Sequence, residues 1–167
     1  MRVHICAAPK FRENTKKILS ENNMQADINS GADLCDLILF HKDKQQKKLP
    51  SAKIVLYNSD LKSSENYFKG EKIYLITYGL NAKATITASS IDERSMLICV
   101  QRSFNNISGK TVLPQELPIS CPVKITDATD KIAQAALLIM LGLDIKRISS
   151  FKKLNLRKKR DSRPQTL

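Results

Sequence analysis

The chain lacks any long apolar run. The longest, residues 135–141, falls far short of the roughly 20 residues a membrane-crossing helix needs. With a mean hydropathy of −0.28, this excludes a transmembrane span. A secretory leader is not expected either. Met1-Arg2-Val3-His4-Ile5-Cys6 passes straight into a strand-like pattern, without an apolar leader core and a small-residue cleavage site. Metal-ligand spacing is missing as well. Cys6, Cys35, Cys99 and Cys121 are scattered without a C-x-x-C pair, and the only histidines, His4 and His41, stand far apart. Three of the cysteines sit in apolar runs such as Leu97-Ile98-Cys99-Val100. The expectation is buried, reduced thiols in a cytoplasmic protein, with no metal site and no cofactor.

What is present suffices for one core of ordinary size: 167 residues, 42% of them hydrophobic. The formal net charge of +12 suggests a nucleic-acid partner until it is mapped. Residues 146–167 hold nine Lys and Arg against the single acid Asp161, so the preceding 145 residues are close to neutral for their size. The organisation expected is one α/β domain over residues 1–145 and a basic C-terminal helix and tail over 146–167. Ile145, Ile148 and Phe151 are spaced for one helical face. The tail cations Lys152, Lys153, Arg157, Lys158, Lys159 and Arg160 leave three roles open. The segment is a solvated end, or it docks on anionic lipid at about 1 kcal/mol per near-surface cation, or it binds nucleic acid through salt-sensitive phosphate contacts. Phe151 is its only aromatic, which weighs against single-strand binding by base stacking.

Apolar runs over residues 3–8, 34–40, 54–57 and 73–78 read as strands without alternation, as strands covered on both faces do. Helices are expected over 13–22 and 63–68, and a Lys- and Gln-rich surface turn over 43–51. This favours a mostly parallel sheet with crossover connections and flanking helices. Residues 84–89, 95–104 and 110–113 mix polar and apolar positions and read as antiparallel strands, with 105–109 as a hairpin loop. The strongest helix spans 128–143. Asp127 is its expected N-cap, Asp130 lies in its first turn, and Ile132, Ala133, Ala136, Leu137, Ile139, Met140 and Leu143 form a wide apolar face.

Three segments occur in the order found in the central domain of the Mur ligases. Leu56-Tyr57-Asn58-Ser59-Asp60 resembles the family's strand ending in Asn-x-Asp. Ile76-Thr77-Tyr78-Gly79-Leu80-Asn81, followed by Lys83-Ala84-Thr85-Ile86-Thr87-Ala88, resembles its Thr-Tyr-Gly strand and the strand after it. The Ala-rich helix ending Met140-Leu141-Gly142-Leu143 is similar to the family's Ala-rich helix. Together they span about residues 52–145. The resemblance implies a degenerate Mur-like α/β domain, because the family's phosphate-binding loop is missing. That loop, Gly-rich and ending in Gly-Lys-Ser/Thr, would follow the first strand, where this chain reads Ala7-Ala8-Pro9-Lys10-Phe11-Arg12. The lone Gly109-Lys110-Thr111 has no strand-to-helix context and reads as a hairpin turn. The family's adenine-side asparagines fall on Asp127 and Asp130. Its magnesium ligands and carbamoylated lysine have no matching residue, and its substrate and C-terminal domains are absent.

Asn58, Asp60 and Asn81 follow strand ends, where ligands of open α/β sheets gather; Asn and Asp also favour such turns for local reasons. Gln101, Arg102 and Glu116 are the remaining ligand-binding candidates, or else belong to a hairpin with an exposed ion pair. No catalytic residue is expected. The resemblance implies a non-catalytic binding or interaction module in bacterial cell-envelope (peptidoglycan) metabolism. Its partner would be a muropeptide, a nucleotide-sugar or an envelope protein. The alternative is a basic protein associated with nucleic acid or anionic membrane through its tail. A small enzyme using Asp60, Arg102 or Glu116 comes last, since no nucleophile–base pair is visible.

Overall fold

In the computed structural model, which describes residues 1–31, 33–42, 49–61, 72–121 and 124–143, the apolar runs of the first half form adjacent parallel strands. These are β1 (Arg2–Cys6), β3 (Leu34–Phe40), β4 (Ser51–Asn58) and β5 (Tyr74–Tyr78). A two-residue strand β2 (Asp27–Ile28) pairs with β1 at the outer edge. The antiparallel second part comprises β6 (Ile86–Ile91), β7 (Ser95–Val100) and β10 (Gln115–Ser120). The eight strands run in the order β10-β7-β6-β5-β4-β3-β1-β2, and β8 (Phe104–Asn105) with β9 (Thr111–Val112) forms a separate hairpin. The α/β architecture, parallel first and antiparallel later, is the one the periodicity predicts.

Two helices, α1 (Pro9–Glu21) and α2 (Ala128–Met140), share one core with Val3, Ile5, Leu37, Leu39, Leu56, Ile76 and Ile86. A smaller cluster that includes Ile38, Phe40, Val55 and Tyr57 lies apart from it. Successive residues of β3 therefore enter different clusters, which is why that strand shows no polar alternation. Along α2 every residue from Ile132 to Met140 is buried. Each large apolar side chain there contributes about 1.5–3 kcal/mol.

Local signals set the ends of both helices. α1 starts at Pro9, earlier than the 13–22 reading, because proline lacks only an amide that the first turn cannot use. Phe11, Thr15, Ile18 and Leu19 then form its buried stripe. Asp127 caps α2 by accepting from the Asp130 amide at 3.0 Å. The helix closes at Met140, with Leu143 N donating to Leu138 O and Gly142 N to Ile139 O while Gly142 stands at φ +85°. That pair of bonds is the glycine-dependent C-terminal closure.

Three strand readings need correction. β2 was not expected, having only two residues, one of them a carboxylate. β10 was hidden by Pro118, which a central strand would reject and an edge strand tolerates; Leu117 and Ile119 face in while Glu116, Pro118 and Ser120 face out. The 95–104 segment divides, since β7 ends at Val100. The surface turn over 43–48, the helix over 63–68 and the tail over 146–167 lie outside the described residues. Among the described residues no helix is long and apolar enough to cross a membrane.

Candidate functional site

Strand β1 sends its chain one way, through α1 to β2, while β3 lies on its other side. The carboxyl ends of β1 and β3 thus flank a reversal of strand order, the place where open α/β sheets hold ligands. In this protein side chains fill that place. His41 directly follows β3, is 0% exposed, and stacks on Phe11 of α1 with ring centroids 4.3 Å apart. Its backbone is fixed from two sides: His41 N donates to Cys6 O at 3.1 Å, and Asn58 Nδ2 donates to His41 O at 3.0 Å.

Both ring nitrogens are engaged. Nδ1 lies 3.0 Å from the Tyr78 hydroxyl and Nε2 lies 2.7 Å from Asp130 Oδ1. The Tyr78 hydroxyl also donates to Phe40 O at 3.1 Å. Burial, reinforced by the charges of Asp130, Cys6 and Asp60, pushes the Tyr78 phenol well above its ordinary 10, so it keeps its one proton. The hydroxyl proton can point to Phe40 O or to Nδ1, while Nε2 must carry hydrogen to bond a carboxylate. Burial pushes the Asp130 carboxyl up, but the His41 hydrogen bond, the charges of His41 and Lys42 and the hydrogen bond with Asp127 outweigh it. The net shift is below the ordinary 3.8. Lys42 Nζ stands 3.6 Å from Asp127 Oδ2 and 3.7 Å from Asp130 Oδ1, half-exposed and screened, so those contacts are worth little.

A second cluster joins the ends of β4 and β5. Asn58 Oδ1 accepts from Asp60 N at 3.0 Å, closing a local turn. The Asp60 carboxylate accepts from Leu80 N at 2.8 Å and Asn81 N at 2.9 Å. Asn81 Oδ1 accepts from Lys83 N at 2.9 Å, and Arg102 Nη1 donates to Lys83 O at 3.1 Å.

The fold therefore brings Asn58, Asp60 and Asn81 together, and Arg102 reaches the same loop. The side-chain bonds described for them all go to backbone groups. Gln101 is tied to this region through its amide, which donates to Thr85 O at 2.8 Å. Glu116 sits apart, opposite Cys99 on β10, with β6 and β7 between it and the 79–85 loop. The ion pair considered for this hairpin is not formed: Arg102 bonds Lys83, and Glu116 has no ion-pair partner among the described residues. The cations Lys152, Lys153, Arg157, Lys158, Lys159 and Arg160 lie outside the described residues.

Sequence reasoning missed His41. Its signal was slight: a lone histidine directly after an apolar strand, 89 positions before the carboxylate it meets.

The residues after β1 do not fit a nucleotide triphosphate. The Ala7-Ala8 link has no glycine for close backbone approach, Pro9 removes an amide from the first turn, and Ala8 offers no capping side chain. Gly109 and Lys110 lie in the turn between β8 and β9 and Thr111 opens β9; in that turn Asn106 Oδ1 accepts from Ser108 N and Lys110 N. Among the described residues no group of three His, Cys, Asp or Glu converges as a metal site. No protein-family model matches the chain, and no curated protein sequence does.

Proposed function

We propose that the chain is a non-catalytic, Mur-ligase-like binding module that serves cell-envelope metabolism through a partner or ligand rather than by turnover. One observation carries this reading: the crevice at the strand-order reversal is filled by stacked Phe11 and His41, with His41 bonded to Tyr78 and Asp130. An ATP-dependent ligase needs that space and those amides for phosphate. Here the same positions are used to hold two strands and two helices together. The Asn58–Asp60 turn and the Tyr78-Gly79 strand end, the segments that carry the family resemblance, serve that purpose too.

The test is a thermal-shift screen of the full chain with Mg-ATP, UDP-sugars and muropeptides, alongside a magnesium-dependent ATPase assay. Ligand that binds only the folded state raises the melting temperature by mass action. Stabilisation by a muropeptide or nucleotide-sugar without ATP turnover supports the reading. Robust ATPase activity or tight ATP binding overturns it.

A second reading rests on charge placement: nine cations and one acid in the last 22 residues. In this reading the tail carries the domain to anionic lipid or nucleic acid. Removal of residues 146–167 would abolish binding to anionic vesicles or to DNA, and unchanged binding after that removal would sink the idea.

A further inference from the structure

We propose that His41 is a proton-operated latch that holds the first turn of α2 on the sheet and loosens it when the ring loses a proton. This rests on the geometry of the junction and stands independently of the proposed function. His41 touches α1 through Phe11, β1 through Cys6 O, β4 through Asn58, β5 through Tyr78 and α2 through Asp130. Of these links, the one to α2 depends most directly on charge.

The hydroxyl of Tyr78 makes two states possible. With the ring charged, Nδ1–H donates to Tyr78 Oη, Tyr78 donates to Phe40 O, and Nε2–H donates to the Asp130 carboxylate. When one proton passes to water, the hydroxyl turns from Phe40 O to the bare Nδ1, 3.0 Å away. Nε2–H still meets Asp130, but as a neutral donor. The ring stays hydrogen-bonded at both nitrogens, so the core survives. What is lost is the ion-pair attraction on Asp130, together with one donor to Phe40 O. A charge-assisted hydrogen bond is about twice as strong as a neutral one, so α2 is the element released.

The other titratable groups around the ring, among the described residues, are few. Lys42 and Asp127 stand beside Asp130. Asp60 and Cys6 act on Tyr78, and Arg12 acts on Cys6. Asp130, with its side chain 30% exposed, is the end of the pair that meets water. Asp127 and Asp130 also cap and charge the first turn of α2, so a weaker hold on Asp130 is felt where that helix begins.

With only two histidines in the chain, ring nitrogen-15 NMR isolates His41 once His4 is replaced by Gln. Across a pH series the native protein should show both nitrogens of His41 protonated at the acid end. At the alkaline end Nε2 should stay protonated and Nδ1 should be bare. Amide protection over residues 130–133 should fall severalfold through the same step. Asp130→Asn should move the ring titration to lower pH. Lys42→Met, which removes a competing cation and leaves the core intact, should move it to higher pH. Protection that stays constant while the ring titrates overturns the latch, as does a ring that never changes state while the fold persists. A Lys42→Met titration unmoved, or moved the other way, overturns it too. The wild-type series and Lys42→Met decide the matter even if Asp130→Asn fails to fold.

Discussion

Gly79 and Asp60 are shaped around each other: a Cβ added at Gly79 would lie 2.7 Å from Asp60 Oδ2, and the glycine stands at φ +148°. The carboxylate occupies that space because it caps the amides of Leu80 and Asn81. Gly79→Ala should therefore destabilise the fold by about 2–4 kcal/mol, adding a steric clash to the strain of a conformation that side chains rarely adopt. Gly109→Ala is the control. It stands at φ +81° with nothing within 4 Å and should cost only the backbone strain of about 1–2 kcal/mol. Urea unfolding of the two variants measures the difference. Equal losses would mean that the Asp60 contact is not what keeps residue 79 a glycine.

How much of this was legible in the sequence follows from the range of the forces involved. Runs such as Leu37-Ile38-Leu39 announce a strand covered on both faces, and Asp127 with Asp130 announces a helix start, because those signals are local. Pro118 hid β10, since its tolerance depends on lying at an edge, which topology decides. Asn58, Asp60 and Asn81 were correctly drawn to strand ends. Nothing in the sequence said that their side chains would bond the backbone of neighbouring turns. His41 was illegible for the strongest reason: Phe11, Tyr78 and Asp130 reach it from three separate elements.

Tyr78→Phe should be costly despite being nearly isosteric. The hydroxyl donates to Phe40 O and is the partner of His41 Nδ1, and the residue is 0% exposed. Removing it takes a hydrogen bond from buried His41 and weakens the hold on Phe40 O, at about 1–3 kcal/mol. Thermal and urea unfolding should agree on a loss of that size. A variant as stable as the parent would mean that water or a local shift replaces the hydroxyl.

Stability on the acid side should depend on Asp130. Its folded-state pKa is depressed below the ordinary 3.8 because the bonds and charges of His41 and Lys42 outweigh burial. A group depressed on folding contributes stability that is fully present above its unfolded value and is lost as pH falls through the folded one. Urea unfolding from pH 7 down to pH 2.5 should show stability declining below about pH 4. Asp130→Asn should be less stable at neutral pH and should flatten that decline. A variant with the same acid slope as the parent would place the titrating group elsewhere.

The thiols should separate by burial. Cys6 is pushed up to about 12, first by desolvation and then by the neighbouring charge of Cys35, against a smaller opposing effect of Arg12. Burial also raises Cys35 and Cys121, whereas Cys99 is only partly buried, on β7. Thiolate is the reactive form, and at pH 8 a thiol of that pKa is ionised in about one molecule in ten thousand. Iodoacetamide on the native protein should therefore label Cys99 first and leave Cys6 intact, with all four cysteines labelled in urea. Peptide mass spectrometry reads the order directly. Labelling of Cys6 at the rate of Cys99 under native conditions would mean that the junction of β1, β3 and α1 opens readily, and the packing of Phe11 on His41 would then have to be far looser than a 4.3 Å stack implies.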